Sequence, residues 1–267
     1  MALVAAGCGG ASEPDQVEYV VRQDIGTYFD AEHAEGTIVL KKIASDEPPI
    51  VFDLKNAKAD FPPAETFKVF ATLVFRESDT LDSLDTEIEW DGEGPEVPPW
   101  NRTHSLRSAM ETESEWFYAQ LTDELGIDPM EVWINRAGFG NGNIRGSARG
   151  SYWLDGTLLT DAMHQAAFMS DLFSDDPTFD RYASFDVKEL MHVEEGDGWT
   201  LTWFTGTDKT AVDPVAWLVG AVTTEDQDWA IAMHIRIPPG SPVDLDKRKR
   251  LTLAILEGEG IIPTSGQ

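Results

Sequence analysis

The chain has 267 residues, enough to bury a sizeable core, and its 42% hydrophobic content with nine Trp and thirteen Phe fits a folded globular protein rather than a disordered one. Acidic residues outnumber basic ones by 48 to 20, a formal charge of −28 that repels phosphate backbones and anionic headgroups, so nucleic-acid and membrane-surface binding are excluded as leading functions. No stretch is long and apolar enough to span a bilayer, and the single cysteine, Cys8, excludes an internal disulfide.

Residues 3–10 (LVAAGCGG), followed by a polar run through Gln16, resemble the end of a bacterial lipoprotein signal, in which small residues precede a cysteine that becomes lipid-modified. The usual basic start and longer apolar core are missing. On this reading Cys8 carries the lipid, one acyl chain anchors only marginally, and the protein is exported to the bacterial periplasm or cell envelope. The alternative is a frayed apolar terminus with one free thiol. Either way, residues 1–16 are expected to lie outside a folded domain that runs from 17 to 267.

Within that domain, residues 36–43 (GTIVLKKI) and 49–54 (PIVFDL) read as a pair of strands, β-branched and bounded by turn residues. Phe61-Pro62-Pro63 ends the extended chain, and Pro63 can open a helix; Phe67, Phe70, Ala71 and Val74 then follow helical spacing over 64–76. Residues 91–100 (DGEGPEVPPW) form a loop, and 105–125 and 129–137 are helical. The last third changes character: strand-like runs at 200–204, 215–223 and 229–237 precede a helix over 245–257 that closes at Gly258. Strands at both ends with helices between predict an α/β fold of the α+β type. One antiparallel sheet is built from both termini, with flanking helices and an inserted helical lobe.

A dispersed set of segments is ordered along the chain. Trp90-Asp91-Gly92, Trp100-Asn101-Arg102, Leu106-Arg107-Ser108-Ala109-Met110, Trp116-Phe117-Tyr118, Phe139-Gly140-Asn141, Trp153-Leu154-Asp155-Gly156, Val187-Lys188-Glu189-Leu190-Met191, Val215-Ala216-Trp217 with Gly220, and Glu259-Gly260-Ile261-Ile262 stand in sequence between residues 17 and 262. Together they resemble the class D, oxacillinase-type serine β-lactamases, which implies the penicillin-recognising, transpeptidase-like fold. In that family a serine three residues before a lysine attacks the lactam carbonyl, and the lysine, carboxylated by carbon dioxide, is the base. A second-motif serine relays protons, and a Lys-Thr-Gly strand with a later arginine holds the substrate carboxylate.

Carried over position by position, the resemblance implies a consistent departure. In Ala64-Glu65-Thr66-Phe67-Lys68, Glu65 stands where the nucleophile belongs and Lys68 is kept. In Glu113-Ser114-Glu115, Glu113 replaces the relay serine and Glu115 the valine of the second motif. In Phe204-Thr205-Gly206, Phe204 replaces the lysine of the third. Arg248 falls at the carboxylate-binding arginine and Trp153 at the tryptophan that supports the modified lysine.

Glu65 and Lys68, three apart at a helix start, share one face. With Glu113 and Glu115 near the same cavity, Lys68 is expected to be held as an ammonium, which cannot take up carbon dioxide. A carboxylate attacking an amide expels itself again and returns to reactant, so the acyl route is expected to be lost; losing a serine nucleophile costs about six orders of magnitude, roughly 8 kcal/mol. The expectation is a pseudoenzyme with a non-covalent binding or interaction role, its ligand a β-lactam-like or peptidoglycan-related small molecule. The alternative is a β-lactam hydrolase or penicillin-binding protein of residual or altered activity, with Glu65 or Glu113 as general base for water. The bland reading is a filled cavity: Phe204 plugs the carboxylate pocket, Lys68 pairs with glutamates, Arg248 is an ordinary ion-pair residue, Trp153 and residues 116–118 are core, and Thr205 and Gly206 serve packing.

No cofactor is implied, and a cation site at the three carboxylates is disfavoured by the lysine among them. The five His, at 33, 104, 164, 192 and 234, lack metal-ligand spacing. The glycine-rich 138–143 segment lacks the lysine of a phosphate loop and reads as a turn. Asn101-Arg102-Thr103 matches a glycosylation sequon of little weight in a bacterial protein.

Overall fold

A computed structural model of the chain describes residues 18–93, 96–147, 150–208, 214–238, 244 and 246–264. Its centre is a seven-stranded sheet, with a short strand β1 (Val20–Val21) and helix α1 (Gly26–Ala31) ahead of β2 (Gly36–Lys42) and β3 (Ile50–Phe52). The remaining strands, β4 (His192–Gly196), β5 (Trp199–Thr207), β6 (Val215–Thr224) and β7 (Trp229–Arg236), come from the last third, and the order across the sheet is β1-β3-β2-β7-β6-β5-β4. The two ends of the chain meet where β2 pairs antiparallel with β7, Val39 opposite Ala232. That seam is the long-range contact that makes one sheet from two distant segments.

Both faces of the sheet are covered. Along β2 the side chains alternate: Ile38 and Leu40 join Phe29 of α1 and Leu251 and Ile255 of the last helix, α9 (Lys247–Gly258), while Val39 faces a larger core on the other side. The interior strand β6 is buried on both faces, so 215–222 reads as an unbroken apolar run rather than an alternating one. The larger core is filled by α3 (Phe67–Glu77) and by the inserted lobe: α4 (Leu106–Glu111), α5 (Glu115–Leu125), α6 (Ile127–Ala137), α7 (Ala162–Leu172) and α8 (Arg181–Leu190), with a short α2 (Leu54–Ala57) after β3. α7 and α8 start on aspartates whose carboxylates accept backbone N–H groups, Asp161 from His164 and Asp180 from Tyr182 and Ala183.

Three expectations change. The sheet is mixed rather than wholly antiparallel, because β1 runs parallel to β3. The single helix over 105–125 is two helices, broken at 112–114. β4 was invisible as a strand because His192–Gly196 is a polar, largely exposed edge whose pairing with β5 supplies its order.

Candidate active site

The site is built around the turn that connects Pro62-Pro63 to α3. Its backbone is tied from three directions. The Trp217 indole of β6 donates to the Pro62 carbonyl (3.0 Å), the Ala64 N–H donates to the Trp153 carbonyl (3.1 Å), and Gln165 of α7 donates to the Thr66 hydroxyl (2.9 Å). Ala64 is held at φ +50°, a left-handed conformation costly for an L side chain, and such strain persists only where the surroundings over-determine it.

This clamp points Glu65 at the end of β5, with the side chain 3% exposed. The Thr207 N–H donates to Glu65 Oε2 at 2.6 Å. Gly206 makes the approach possible: a Cβ there would stand 2.8 Å from the Thr66 nitrogen and 2.9 Å from the Glu65 nitrogen. A backbone N–H fixed at a strand end, facing a reacting position, is the kind of donor that acyl-transfer sites direct at a developing oxyanion. Here that donor is bonded to the chain's own carboxylate.

Lys68 is the second residue of α3, about one turn after Glu65, and is fully buried. Its Nζ donates to the main-chain carbonyl of Glu113 at 2.7 Å and stands 5.6 Å from the Tyr118 ring centroid. Tyr118 shares a hydrogen bond with Thr72, and burial raises its phenol pKa. Glu113 sits in the break between α4 and α5 at φ +54°. Two indoles pin that break, Trp100 donating to the Thr112 carbonyl (2.8 Å) and Trp116 to the Trp100 carbonyl (2.7 Å). Glu113 thus reaches Lys68 from a strained turn, through its carbonyl, and not from the face of a continuous helix. Glu115 opens α5 and is half-buried.

Arg248, in the first turn of α9, is buried and donates to the Gly206 (3.1 Å) and Trp217 (2.9 Å) carbonyls, joining the end of β5 to β6. Burial pushes its pKa down to about 10, opposed by the negative charge of Glu113 and Glu65, which places all three in one electrostatic neighbourhood. Phe204 is buried under His192, the two rings stacked at 5.9 Å and 12°. Thr205 pairs with Leu218 in the β5–β6 ladder. Trp153 is fully buried, stacks on Phe67 and has an indole N–H without a hydrogen-bond partner among the described residues. Among those residues no group of three or more His, Cys, Asp or Glu side chains is placed to hold a metal ion. Cys8 lies outside them.

Several contributors escape a reading by motif. Thr207 acts through its main chain, so its residue type carries no signal. Gln165 could have been found as a polar residue on the buried stripe of α7, beside Ala162, Ala166 and Met169. His192 is a partner of Phe204 only through the β4–β5 pairing.

His234, behind the turn, packs against Phe61 and Trp217, and its Nε2–H faces the Asn56 carbonyl at 3.2 Å. Burial lowers its pKa from 6.5 to about 4. The unfolded chain takes up this proton near pH 6.5 and the folded chain only near pH 4, so the stabilisation is complete above 6.5 and is lost as pH falls toward 4. On acidification through that window His234 is expected to remove on the order of 3 kcal/mol. Urea unfolding of wild type and His234→Gln at pH 7.5 and 4.5 checks this: the variant should lose less stability across the interval, and equal losses would refute it.

Comparison with known proteins places this geometry among relatives. The sequence profile of the penicillin-binding protein transpeptidase domain matches residues 29–257. β-Lactamase OXA-2 of Salmonella typhimurium is 30% identical over 91% of this chain and 86% of its own, and YbxI of Bacillus subtilis, a probable β-lactamase, is 29% identical over 98% and 96%. The regulatory protein BlaR1 of Bacillus licheniformis is 29% identical over 93% of this chain, which spans only 40% of BlaR1. The C-terminal domain of that penicillin receptor superposes with a TM-score of 0.80 at 27% identity, covering 92% of this chain and 98% of the domain.

Proposed function

The chain belongs to the penicillin-binding transpeptidase domain family, with class D β-lactamases among its relatives, and on that footing we propose that it is a non-acylating member of the family that acts by non-covalent binding in the cell envelope. The observation that carries the reading is the Glu65 carboxylate on the Thr207 N–H, at the position the motif alignment gives to the nucleophile. A serine there would attack and remain bound as an ester. A carboxylate forms a tetrahedral adduct that expels the carboxylate faster than the lactam nitrogen, and any acyl product would be an anhydride. The same carboxylate also holds a donor that would otherwise polarise the substrate carbonyl. Lys68 and Phe204 add to this. The lysine nitrogen is engaged by the Glu113 carbonyl, and an apolar ring replaces the cation of the third motif. What remains is a scaffold suited to recognising a β-lactam-like or peptidoglycan-related molecule without reacting with it.

Intact-protein mass spectrometry after incubation with benzylpenicillin, together with a chromogenic cephalosporin assay, tests the reading. No mass increase and background turnover are expected. A covalent adduct overturns it. The hydrolase alternative draws on the 30% identity to OXA-2 and takes Glu65 or Glu113 as general base for water. It predicts turnover clearly above background that disappears in Glu65→Gln.

A further inference from the structure

A second cavity, sharing no residue with the Glu65–Lys68–Glu113–Arg248 cluster, lies between β2 and the start of α7, with a volume of about 700 Å³. It falls within the size range of small-molecule sites, roughly 300–1,000 Å³. Val39 of β2, Pro49 before β3, and Met163 and Ala166 of α7 give it an apolar wall. Lys41, two residues from Val39 on the same face of β2, and Lys58, after α2, supply cations.

The chain carries 48 acidic residues against 20 basic ones, and a cation at random should find a carboxylate. Arg22, Lys42, Arg76, Arg107, Arg145, Lys249 and Arg250 do, whereas Lys55, Arg102, Arg181, Lys188 and Lys247 have no carboxylate at ion-pair distance among the described residues. Lys41 is half-buried and Lys58 bonds only to the Tyr19 hydroxyl, its Nζ 4.4 Å from the centroid of that ring; neither has a carboxylate within ion-pair distance among the described residues. The wall also carries two acidic groups, Asp60 and Asp161. Asp161 accepts from the His164 N–H (2.7 Å) and ring Nδ1 (2.9 Å), and both carboxylates favour the protonated form of that imidazole. Asp161 is thereby engaged by His164, and neither aspartate lies within ion-pair distance of Lys41 or Lys58.

From this we propose that the cavity is a binding site for a small amphipathic anion, with an apolar body against Val39, Pro49, Met163 and Ala166 and its carboxylate or sulfonate between Lys41 and Lys58. Two ammonium groups without an ion-pair partner beside an apolar wall complement an anion with an apolar body.

The probe is 8-anilinonaphthalene-1-sulfonate, which has an apolar two-ring body and one sulfonate, titrated into the full chain at low ionic strength by fluorescence and calorimetry. One molecule per chain is expected, displaced by decanoate. The Lys41→Glu/Lys58→Glu double variant should weaken the affinity at least tenfold. Ala167→Trp, which projects an exposed α7 side chain into the cavity, should abolish binding with an unchanged melting temperature. N-phenyl-1-naphthylamine, the uncharged counterpart, should respond to Ala167→Trp but not to the lysine changes. Absence of stoichiometric binding, affinity indifferent to both variants, or equal binding of the charged and uncharged probes would each overturn the proposal. None of these outcomes depends on whether Glu65 reacts with penicillin.

Discussion

On the proposed reading, installing the family's reacting groups together, as Glu65→Ser, Glu113→Ser, Glu115→Val and Phe204→Lys in one chain, is expected to raise cephalosporin hydrolysis by at least about three orders of magnitude, while Glu65→Ser alone stays within about tenfold of wild type. Catalytic groups that act as a unit are far from additive, because each is useful only when the others are present. A serine introduced by itself would gain the Thr207 N–H as a donor for its acyl oxygen, but would still lack the second-motif hydroxyl that Glu113→Ser supplies and would face a ring at the third-motif lysine's position. Phe204 is 2% exposed, so a lysine there enters a desolvated place and costs stability until a substrate carboxylate pairs with it. Melting temperatures of the fourfold variant and of the threefold variant that keeps Phe204 separate misfolding from inactivity. The measured quantity is kcat/KM. Rapid hydrolysis by Glu65→Ser alone would show that the other three changes matter little, and a folded but inert fourfold variant would show that more than these side chains has been lost.

Phe67→Ala is expected to be the most damaging single truncation near the site, at about 3–5 kcal/mol. The ring is fully buried, stacked on Trp153 at 5.1 Å and 14°, with its edge toward Tyr152 at 5.4 Å and Phe139 at 6.1 Å. It is the first residue of α3, so it joins that helix to the segment whose Trp153 carbonyl holds the Ala64 N–H. A loss of that size corresponds to a melting temperature lowered by about 10 °C in a domain of this length. Urea denaturation with an unchanged m-value is the check, and Phe67→Leu, which retains most of the apolar volume, should cost markedly less. A cost below about 1 kcal/mol for the alanine would mean that Trp153 and Phe139 close over the gap, against the rigidity expected of an interior packed to crystal-like density.

Loss of Phe67 should also weaken the Glu65–Thr207 contact, because the turn is clamped through Trp153. Retention of the amide-proton protection of Thr207 in Phe67→Ala would indicate that the Pro62 and Gln165 ties suffice.

Much of the architecture was legible in local pattern. The β-branched runs became β2, β3, β6 and β7, the helix after Pro63 became α3, and the final helix was displaced by only a couple of residues. These elements announce themselves because their apolar spacing matches the period of the backbone that carries it. The ordered motif residues led to the right family and put Glu65, Lys68, Glu113, Phe204 and Arg248 on one list, since each is named by its place relative to a recognisable neighbour.

What only the tertiary structure decided lies in contacts between segments far apart in the chain. The local spacing of 105–125 does not announce the break that gives Glu113 its left-handed backbone, where the indole of Trp100, from outside the segment, bonds the Thr112 carbonyl. The Thr207 N–H is a main-chain atom, indifferent to residue type, and meets Glu65 across 142 positions of sequence. Lys41 and Lys58 look like ordinary surface cations until the fold brings them to one cavity between β2 and α7. Local spacing determines which elements form and which face is apolar. Which donor meets which acceptor, and which charge is left without a partner, depends on how those faces pack, and packing is a property of the whole chain.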